Sequence, residues 1–288
     1  MSKQQTKAGN IIYTIGSLYN SLTPSSKRIA DFVVSQPEQI SKLSIAELSQ
    51  LVNAGDATII RFCRTLGFKG YQDFKLELAV EMSTSKQVDS SILDTDVTPE
   101  DSVEILGKKL QSAINNVLSE TLTLIDFSQL EQAAISIAQA NSIYFFGVGS
   151  SGISAESAKY KYMRIGLNVD AFSNNHFMYI KASLLQPGDV AIGISHSGES
   201  VETTKSLQLA KKNGATTIAI THNPRSTMTQ HADSILVNGN NQGQLQGDSI
   251  GTKVSQLFVI DLLYTLLVQR DMSGTMAKKL KTTEAISD

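Results

Sequence analysis

The sequence lacks the features that would stabilise the chain through disulfides or anchor it in a membrane. Cys63 is the only cysteine among 288 residues, which excludes an intrachain disulfide and a cysteine metal cluster, and we expect this side chain to be buried. No apolar run reaches the roughly 20 residues of a membrane-spanning helix, and residues 1–5 lack the apolar core of a signal peptide. These absences predict a cytoplasmic protein with no membrane partner.

Several arrangements that mark enzymes and metal proteins are also missing. Residues 193–197 depart from the G-x-S-x-G pattern of a hydrolase nucleophile. The spacing of His196, His222 and His231 is not that of a metal site. We therefore expect no bound metal, no cofactor and no catalytic residues.

Charge and composition change along the chain. Residues 1–80 contain nine Lys or Arg and six Asp or Glu, whereas the remaining residues are net acidic. This distribution fits a nucleic-acid-binding module joined to an acidic domain. Residues 83–101 are polar with little apolar periodicity, which is typical of a linker. We predict a DNA-binding domain over residues 1–82, a linker over 83–101 and a second domain over 102–288.

Residues 1–82 predict a bundle of helices. Thr23 before Pro24 is typical of a helix start. Ser44 and Glu47 have the spacing of a capping box at the start of another helix. The predicted helices cover about 11–22, 24–36, 44–52, 57–66 and 71–82.

Two of these helices, 44–52 and 57–66, are separated by a turn of the length found in a helix-turn-helix. The second helix has one apolar face that should be buried, formed by Ile59, Phe62, Cys63 and Leu66. The exposed face carries Thr58, Arg61 and Thr65, with Arg64 beside them. Hydroxyl and guanidinium groups in this position suit the base edges and phosphates of a DNA major groove. The same face would also suit the solvated side of a small helical bundle.

Residues 102–288 alternate between short apolar runs and helical patterns. This alternation predicts a parallel sheet covered by helices on both faces, so the fold class is α/β with an all-α N-terminal domain. Five strands are predicted, over residues 143–147, 168–172, 189–194, 216–221 and 234–237. Long helices are predicted over about 102–125, 128–140 and 250–270.

Two loops rich in glycine and serine follow predicted strands, at residues 147–152 and 194–200. Each precedes a helical pattern, and the first turn of a helix has unpaired backbone N–H groups and the positive end of the helix dipole. Glycines allow a ligand to approach closely and serine hydroxyls add donors, so each loop predicts a phosphate cradle. The alternative is that these serines only cap helices.

The first loop also matches the G-x-G-x-x-G pattern of a dinucleotide site, with Asp170 near the place of the ribose-binding acid. However, serines fill this loop, a second serine loop repeats its chemistry, and no obvious set of catalytic acids and bases accompanies it. A phosphorylated small molecule gripped by serines therefore explains both loops better than a nicotinamide enzyme does.

Three N-terminal motifs, at residues 22–30, 44–48 and 57–71, resemble the RpiR family of bacterial transcription regulators. These proteins join a helix-turn-helix domain to a sugar-isomerase-like (SIS) domain, so the resemblance implies operator DNA as a partner. The family often has Val-Ser where this chain has Ala54 and Gly55. The usual serine cap of the second helix is therefore missing, and Asp56 or Gly55 must serve as the cap.

Residues 120–270 resemble SIS domains that bind phosphosugars. The resemblance implies that three serines of the second loop, Ser195, Ser197 and Ser200, grip the phosphate. It also implies that Ser150 and Ser151 of the first loop contact the phosphate or sugar hydroxyls. The five-stranded SIS fold and a phosphosugar effector are thus expected together.

Two further residues resemble the sialic-acid branch of the family. His176 follows the second strand and Lys253 opens the last helix, where either could reach the ligand. This likeness implies an amino-sugar phosphate such as N-acetylmannosamine 6-phosphate as the effector. Each residue could instead be an exposed charge or, for His176, a helix cap.

SIS isomerases also need a carboxylate and a histidine, and a glutamate commonly precedes their last long helix. Residues 241–249 of this chain have amides in that place, and only Asp248 could substitute. We therefore expect a regulator that binds without turnover, the alternative being a sugar-phosphate isomerase with an accessory helical domain. Because helix-turn-helix domains commonly pair to read two half-sites, we expect a homodimer or a dimer of dimers.

Overall fold

The computed structural model describes residues 11–84, 98–239 and 250–287. The chain divides into two compact units, residues 1–112 and 113–288. Residues 1–5, most of the predicted linker and the segment that contains Asp248 lie outside the described residues. The predicted domain limits, which are 1–82, 83–101 and 102–288, therefore stay predictions.

The first unit is helical, as predicted. Its helices are α1 (Ile11–Leu18, followed by a 3₁₀ turn at Tyr19–Ser21), α2 (Pro24–Ser35), α3 (Pro37–Ile40), α4 (Ile45–Leu51), α5 (Asp56–Thr65) and α6 (Tyr71–Thr84). A further helix, α7 (Val103–Leu124), extends from this unit into the second.

The predicted helix starts of the first unit are confirmed. Thr23 Oγ1 accepts from the Ser26 backbone N–H at 3.3 Å. Ser44 and Glu47 form the reciprocal capping box, with the Glu47 carboxylate accepting from Ser44 N at 2.7 Å. The sequence did not indicate α3, which begins on Pro37. A proline suits the first turn of a helix, where its missing N–H is not needed.

One apolar cluster holds these helices together. Ile59, Phe62 and Leu66 of the α5 region are at most 2% exposed, which confirms the predicted buried face. They pack with side chains from α1, α2, α4 and α6. Cys63 is also buried, and desolvation raises the pKa of its thiol to about 12. This thiol therefore acts as a small apolar side chain.

The second unit contains the predicted five-stranded parallel sheet. Its strands are β1 (Ser142–Phe146), β2 (Val169–Phe172), β3 (Asp189–Ile194), β4 (Thr216–Thr221) and β5 (Ser234–Val237). The strand order is β2-β1-β3-β4-β5, and every neighbouring pair is parallel. The last three strands match the predicted ranges, whereas β1 begins and ends one residue earlier than predicted and β2 begins one residue later.

Helices cover both faces of this sheet. They are α8 (Phe127–Ala138), α9 (Ser150–Met163), α10 (Asn175–Ser183), α11 (Val201–Lys212), α12 (Ile250–Arg270) and α13 (Met272–Glu284). Helices α8, α9 and α12 share one apolar cluster with the sheet, whereas α10 and α11 share the other. The expectation that α12 is the last helix was wrong, because α13 follows it and is capped by Asp271.

Helix α12 is long and apolar enough by length and composition to cross a membrane. Its apolar side chains have another explanation in the fold. Val259, Ile260 and Leu263 are at most 1% exposed and belong to the cluster that packs on the sheet. The apolar character of α12 is thus that of a core helix.

Candidate functional site

The two serine loops leave neighbouring strands at the carboxyl edge of the sheet. Strands β1 and β3 are adjacent, with Phe146 beside Gly193 in the parallel register. The chain then turns from β1 to α9 on one face and from β3 toward α11 on the other. Such a reversal opens a crevice between the loops, which is where ligands bind in open α/β sheets.

The first serine loop is compact and ends directly in α9. Gly149, which precedes the helix, has a φ of 56°, a left-handed conformation that glycine adopts at little cost. Because this N-cap residue has no side chain, the first turn of α9 receives no side-chain cap. Ser150 and Ser151 are the first two helical residues. The loop therefore offers uncapped backbone N–H groups together with two hydroxyls.

The two hydroxyls of this loop differ in their partners. Ser150 Oγ is buried and makes no hydrogen bond with the described residues. Ser151 Oγ accepts from Nε2 of Gln256 at 3.0 Å. Gln256 lies in α12 and is completely buried. Sequence patterns did not single out this amide, since its partner is 105 residues away in the chain.

The second serine loop brings two of its three predicted residues, Ser195 and Ser200, into contact before α11. Ser195 is 2% exposed, and its Oγ lies 3.0 Å from Ser200 Oγ. Ser195 Oγ also accepts from Gly198 N at 3.2 Å, and the exposed Ser197 accepts from Glu199 N at 3.2 Å. Ser200 is the N-cap of α11 but makes no capping bond with its side chain. Its hydroxyl therefore serves the loop rather than the helix.

Gly198 fixes the path of the second loop. Its φ of 69° is left-handed, and an added Cβ would overlap the Ser226 side chain. Ser226 Oγ is itself buried without a hydrogen bond to the described residues. Glu199 ties the loop to the same neighbouring segment, because its carboxylate accepts from Thr227 N at 3.0 Å and from Thr227 Oγ1 at 2.6 Å. This bonding holds the acidic side chain of the loop at Thr227.

A polar layer lies under the second loop. The rings of His196 and His222 stack with their centroids 5.1 Å apart. Thr221 Oγ1 donates to the His196 carbonyl at 3.1 Å, and the Asn238 carbonyl lies 2.9 Å from His222 Nδ1. Asn238 Nδ2 in turn donates to Ser255 Oγ of α12 at 2.8 Å. Sequence patterns did not identify Thr221, Asn238 or Ser255 as supports of this loop.

His176 and Lys253 lie at the same edge of the sheet but on opposite faces. His176 is exposed in the first turn of α10, where its backbone N–H donates to the capping Asn174 Oδ1 at 3.1 Å. Lys253 is half-buried, one helical turn before Gln256 on α12. The helix that carries each residue thus starts at the carboxyl edge of the sheet.

Asp170 is engaged by a lysine from the neighbouring helix. Its carboxylate forms an ion pair with Lys159 at 2.6 Å. Partial desolvation opposes ionisation, but hydrogen bonds from Lys159 and from the Ala171 backbone outweigh it and lower the pKa of Asp170. A carboxylate used in this way fits poorly with the ribose-binding role that a dinucleotide site would require.

In the first unit, α5 presents the predicted polar face. Arg61 and Arg64 are exposed, and Thr58 and Thr65 are half-buried beside them. The helix begins after Gly55, which has no side-chain cap. An open groove of about 470 Å³ adjoins this face, lined by Ile45, Ile60, Arg64, Lys69, Gly70, Tyr71, Gln72 and Asp73.

The turn between α4 and α5 is braced by a residue that the sequence did not reveal. Arg28 of α2 donates from Nε to the Val52 carbonyl at 3.0 Å and from Nη2 to the Asn53 carbonyl at 2.7 Å. Asn53 has a left-handed φ of 47°, and Ser49 Oγ donates to the Ala54 carbonyl at 2.7 Å. These bonds satisfy carbonyls at the end of α4 and fix where α5 begins.

Family models match both parts of the chain. A helix-turn-helix domain of the rpiR family matches residues 9–85, and a SIS domain matches residues 136–266. A protein of Haemophilus influenzae named as an uncharacterized HTH-type transcriptional regulator is 52% identical over 280 residues, which is 97% of this chain and 97% of the relative.

Two solved structures have the same fold. The Vibrio vulnificus NanR protein, solved in complex with ManNAc-6P, has a TM-score of 0.60 and 24% identity, covering 96% of this chain and 98% of its own. The sugar isomerase domain of an RpiR transcription factor from Sphaerobacter thermophilus has a TM-score of 0.57 and 23% identity, covering 62% of this chain and 98% of its own. At these identities the likeness establishes the fold.

Proposed function

Because the chain belongs to the rpiR family of helix-turn-helix transcriptional regulators that carry a SIS domain, we propose that its SIS domain binds a phosphosugar that changes the affinity for operator DNA. The observation that carries this proposal is the pair of serine loops on adjacent strands at one reversal of the sheet. A ligand in that crevice would meet the first turns of α9 and α11 together.

The second loop is suited to the phosphate. Ser195, Ser197 and Ser200 surround the start of α11, where backbone N–H groups and the helix dipole favour an anion. The hydroxyls add neutral donors to this cradle. Ser150 and Ser151 would then face the sugar or a phosphate oxygen from the first loop. These five assignments are part of the proposal.

N-acetylmannosamine 6-phosphate is the effector that we propose to test first. The NanR structure with a similar fold was solved with ManNAc-6P. His176 and Lys253, which resemble that branch of the family, start their helices at the edge that carries the serines. We assign them to the sugar or the phosphate, where the His176 ring and the Lys253 ammonium group would each offer a hydrogen-bond donor.

We infer that the ligand is bound without being converted. The 52% identical relative is named as a regulator. Within the described residues, the side-chain partners of Ser151, Ser195 and Ser200 are an amide and hydroxyls rather than a carboxylate that could move a proton of the sugar. The observation that supports the alternative, an isomerase, is the likeness of the fold to a sugar isomerase domain. Its candidate acid, Asp248, lies outside the described residues.

For DNA we propose that α5 enters the major groove. Arg61 would contact base edges, with Thr58 and Thr65 beside it. Arg64 lines the protein groove that also contains Lys69, and it would contact the DNA phosphate backbone. A regulator of this kind works in the cytoplasm, where its operator is.

A homodimer or a dimer of dimers through the second unit would bring two copies of α5 to two half-sites. Large apolar side chains on α10 support such an assembly. Phe177, Ile180 and Leu184 are 61%, 57% and 70% exposed and recur at the spacing of one helix face. Light scattering at micromolar concentration should report a dimer or larger, and a monomer would contradict this part of the proposal.

The direct test is calorimetric titration of the full chain with N-acetylmannosamine 6-phosphate and with unphosphorylated N-acetylmannosamine. We expect the phosphorylated sugar to bind and the neutral sugar to bind at least about a hundredfold more weakly, since several hydrogen bonds to a charged group are lost. NMR spectra of the same mixture should show unchanged sugar after long incubation. Conversion of the sugar would favour the isomerase instead.

A second arm tests the coupling to DNA. Duplexes selected from a random pool by the full chain should contain a palindrome, and their affinity should change when the phosphosugar is added. By linkage, DNA must change the phosphosugar affinity by the same factor. Equal DNA affinity at zero and saturating phosphosugar would contradict the regulatory role of this ligand.

A further inference from the structure

A buried glutamine connects α12 to the first serine loop. Gln256 is 0% exposed, and both ends of its side-chain amide are bonded to α9. Its Nε2 donates to Ser151 Oγ at 3.0 Å, and its Oε1 accepts from Ser154 Oγ at 2.8 Å. Ser154 is itself 2% exposed. In this orientation the amide bridges two serines that are one helical turn apart.

This orientation determines which hydrogen-bonding capacity of the Ser151 hydroxyl stays available to a ligand. A serine hydroxyl has one hydrogen to donate and two lone pairs that accept. Gln256 fills one lone pair, and among the described residues no acceptor takes the hydrogen of Ser151. Ser151 is half-buried in the first turn of α9, beside the crevice. Its hydrogen is therefore available to an acceptor that enters there.

We propose that Gln256 is a positioning residue that keeps Ser151 as a hydrogen-bond donor toward the phosphosugar. This inference rests on the proposed function, because it concerns the same ligand site. The donor amide at Gln256 selects for ligand groups that accept, such as phosphate oxygens. Ser154 supplies the second bond of this bridge, since its hydroxyl donates to Oε1 of Gln256.

A matching connection reaches the second loop from the preceding residue. Ser255 Oγ accepts from Asn238 Nδ2 at 2.8 Å, and the same Nδ2 lies 3.5 Å from His196 Nδ1. Adjacent residues of α12 are thus bonded toward both serine loops. This placement explains why a completely buried amide is kept in a helix that otherwise packs as an apolar core element.

The decisive variant is Gln256→Glu, which keeps the shape of the side chain. When it is ionised, a carboxylate only accepts hydrogen bonds, so Ser151 would have to donate to it and would lose its hydrogen for the ligand. Because burial favours the neutral acid, the titration is run in alkaline buffer. We expect the affinity for N-acetylmannosamine 6-phosphate to fall about tenfold to a hundredfold, as for the loss of one hydrogen bond to a charged group. Calorimetric titration of the full chain measures the change.

A double-mutant cycle separates positioning from a general structural effect. Gln256→Met keeps the length without any hydrogen bond, and it should weaken binding about threefold to tenfold because Ser151 is no longer oriented. In a Ser151→Ala background the same change should alter affinity by less than about twofold. Equal losses in both backgrounds would overturn the proposal, and this cycle remains decisive if the glutamate variant does not fold.

The outcomes for the two hypotheses are distinct. If the wild type binds the phosphosugar and Gln256→Met weakens binding equally with and without the Ser151 hydroxyl, the positioning role is wrong and the proposed function stands. If the wild type binds no phosphosugar, the proposed function fails and the positioning role fails with it. A matched control is Gln208→Glu on the exposed face of α11, which should leave the affinity within about twofold of the wild type.

Discussion

The two candidate sites are built in opposite ways. In the first unit, Arg61 and Arg64 are long, exposed side chains on the surface of one helix. In the second unit, Ser195 is 2% exposed and its hydroxyl contacts that of Ser200, while the Ser151 hydroxyl is bonded to an amide of another helix. The first site is a surface of independent side chains, whereas the second is a network.

This difference predicts how each site responds to mutation. Exposed side chains that do not share partners contribute nearly independently. Buried polar groups that share hydrogen bonds do not, because removing one leaves another without its partner in a region of low dielectric. Substitutions in the serine loops should therefore have larger and less additive effects than substitutions on α5.

The largest expected effect is the loss of ligand sensing in the variant Ser195→Ala with Ser197→Ala. It removes two donors from the phosphate cradle and one of the two acceptors of Gly198 N, which keeps its bond to the Ser195 carbonyl. Each hydrogen bond to a charged group is worth about 1.5–3 kcal/mol, so phosphosugar affinity should fall at least about a hundredfold. Calorimetric titration measures this directly.

The same double variant should still bind operator DNA, because α5 belongs to the other unit. Operator affinity without ligand should stay within about threefold of the wild type, and adding phosphosugar should no longer change it. The matched control is Ser183→Ala at the far end of α10, whose hydroxyl donates to the Ile180 carbonyl. A double variant that responds at the wild-type effector concentration would show that the sensor lies elsewhere.

The next largest effect tests the independent character of the DNA surface. Arg61→Ala should weaken operator binding by about 1–3 kcal/mol, the usual value of one bidentate base contact. Phosphosugar affinity and the unfolding temperature should not change, because Arg61 is exposed and far in sequence from the serine loops. Fluorescence anisotropy with labelled operator measures the loss.

The control for that experiment removes one positive charge elsewhere. Lys212→Ala, at the exposed end of α11, should change operator affinity much less than Arg61→Ala does. Equal losses in the two variants would mean that only net charge matters and that Arg61 makes no specific contact. The salt dependence of the wild type would then account for its DNA binding.

The two sites also differ in how well the sequence predicts them, because one lies on a single helix and the other is a network from several elements. The face of α5 follows from helical periodicity alone, and Ile59 and Phe62 are buried where that period puts them. The serine loops were found because glycine and serine follow apolar strands. The residues that orient those loops, Gln256 and Asn238, were missed, since their partners come from distant parts of the chain.

Two helices were missed for more local reasons. Helix α3 is only four residues long and begins on Pro37, so it contains too little periodicity to be recognised. Helix α13 is mostly polar outside its spaced Met272, Met276 and Leu280. Asp271, which accepts from Gly274 N at 3.0 Å, was a helix-start signal that could have found it.

A smaller effect is expected where the first unit contains its own network. Arg28→Met keeps the aliphatic stem but removes the bonds to the Val52 and Asn53 carbonyls. Because these bonds are near the surface, their loss should lower the free energy of unfolding by only about 1 kcal/mol. Denaturant unfolding measures this, with the exposed Lys42→Met as the control for a lost charge. If Arg28→Met lowered the free energy of unfolding by as many kcal/mol as the double serine variant loses in binding free energy for the phosphosugar, the contrast between the two sites would be wrong.

The smallest effect concerns the uncapped start of α5. Gly55 has a φ of −66° and a ψ of 152°, ordinary values for an N-cap serine, and an added Cβ would meet no atom within 4 Å. Gly55→Ser would supply an acceptor for an unpaired N–H of the first turn and should stabilise the chain by a few tenths of a kcal/mol. Gly55→Ala adds the same Cβ without the oxygen and should be less stable than the wild type. The expected order of unfolding temperatures is therefore Ser, then Gly, then Ala. An alanine variant as stable as the serine variant would show that the start of α5 needs no cap, because the Arg28 brace and the apolar face already fix it.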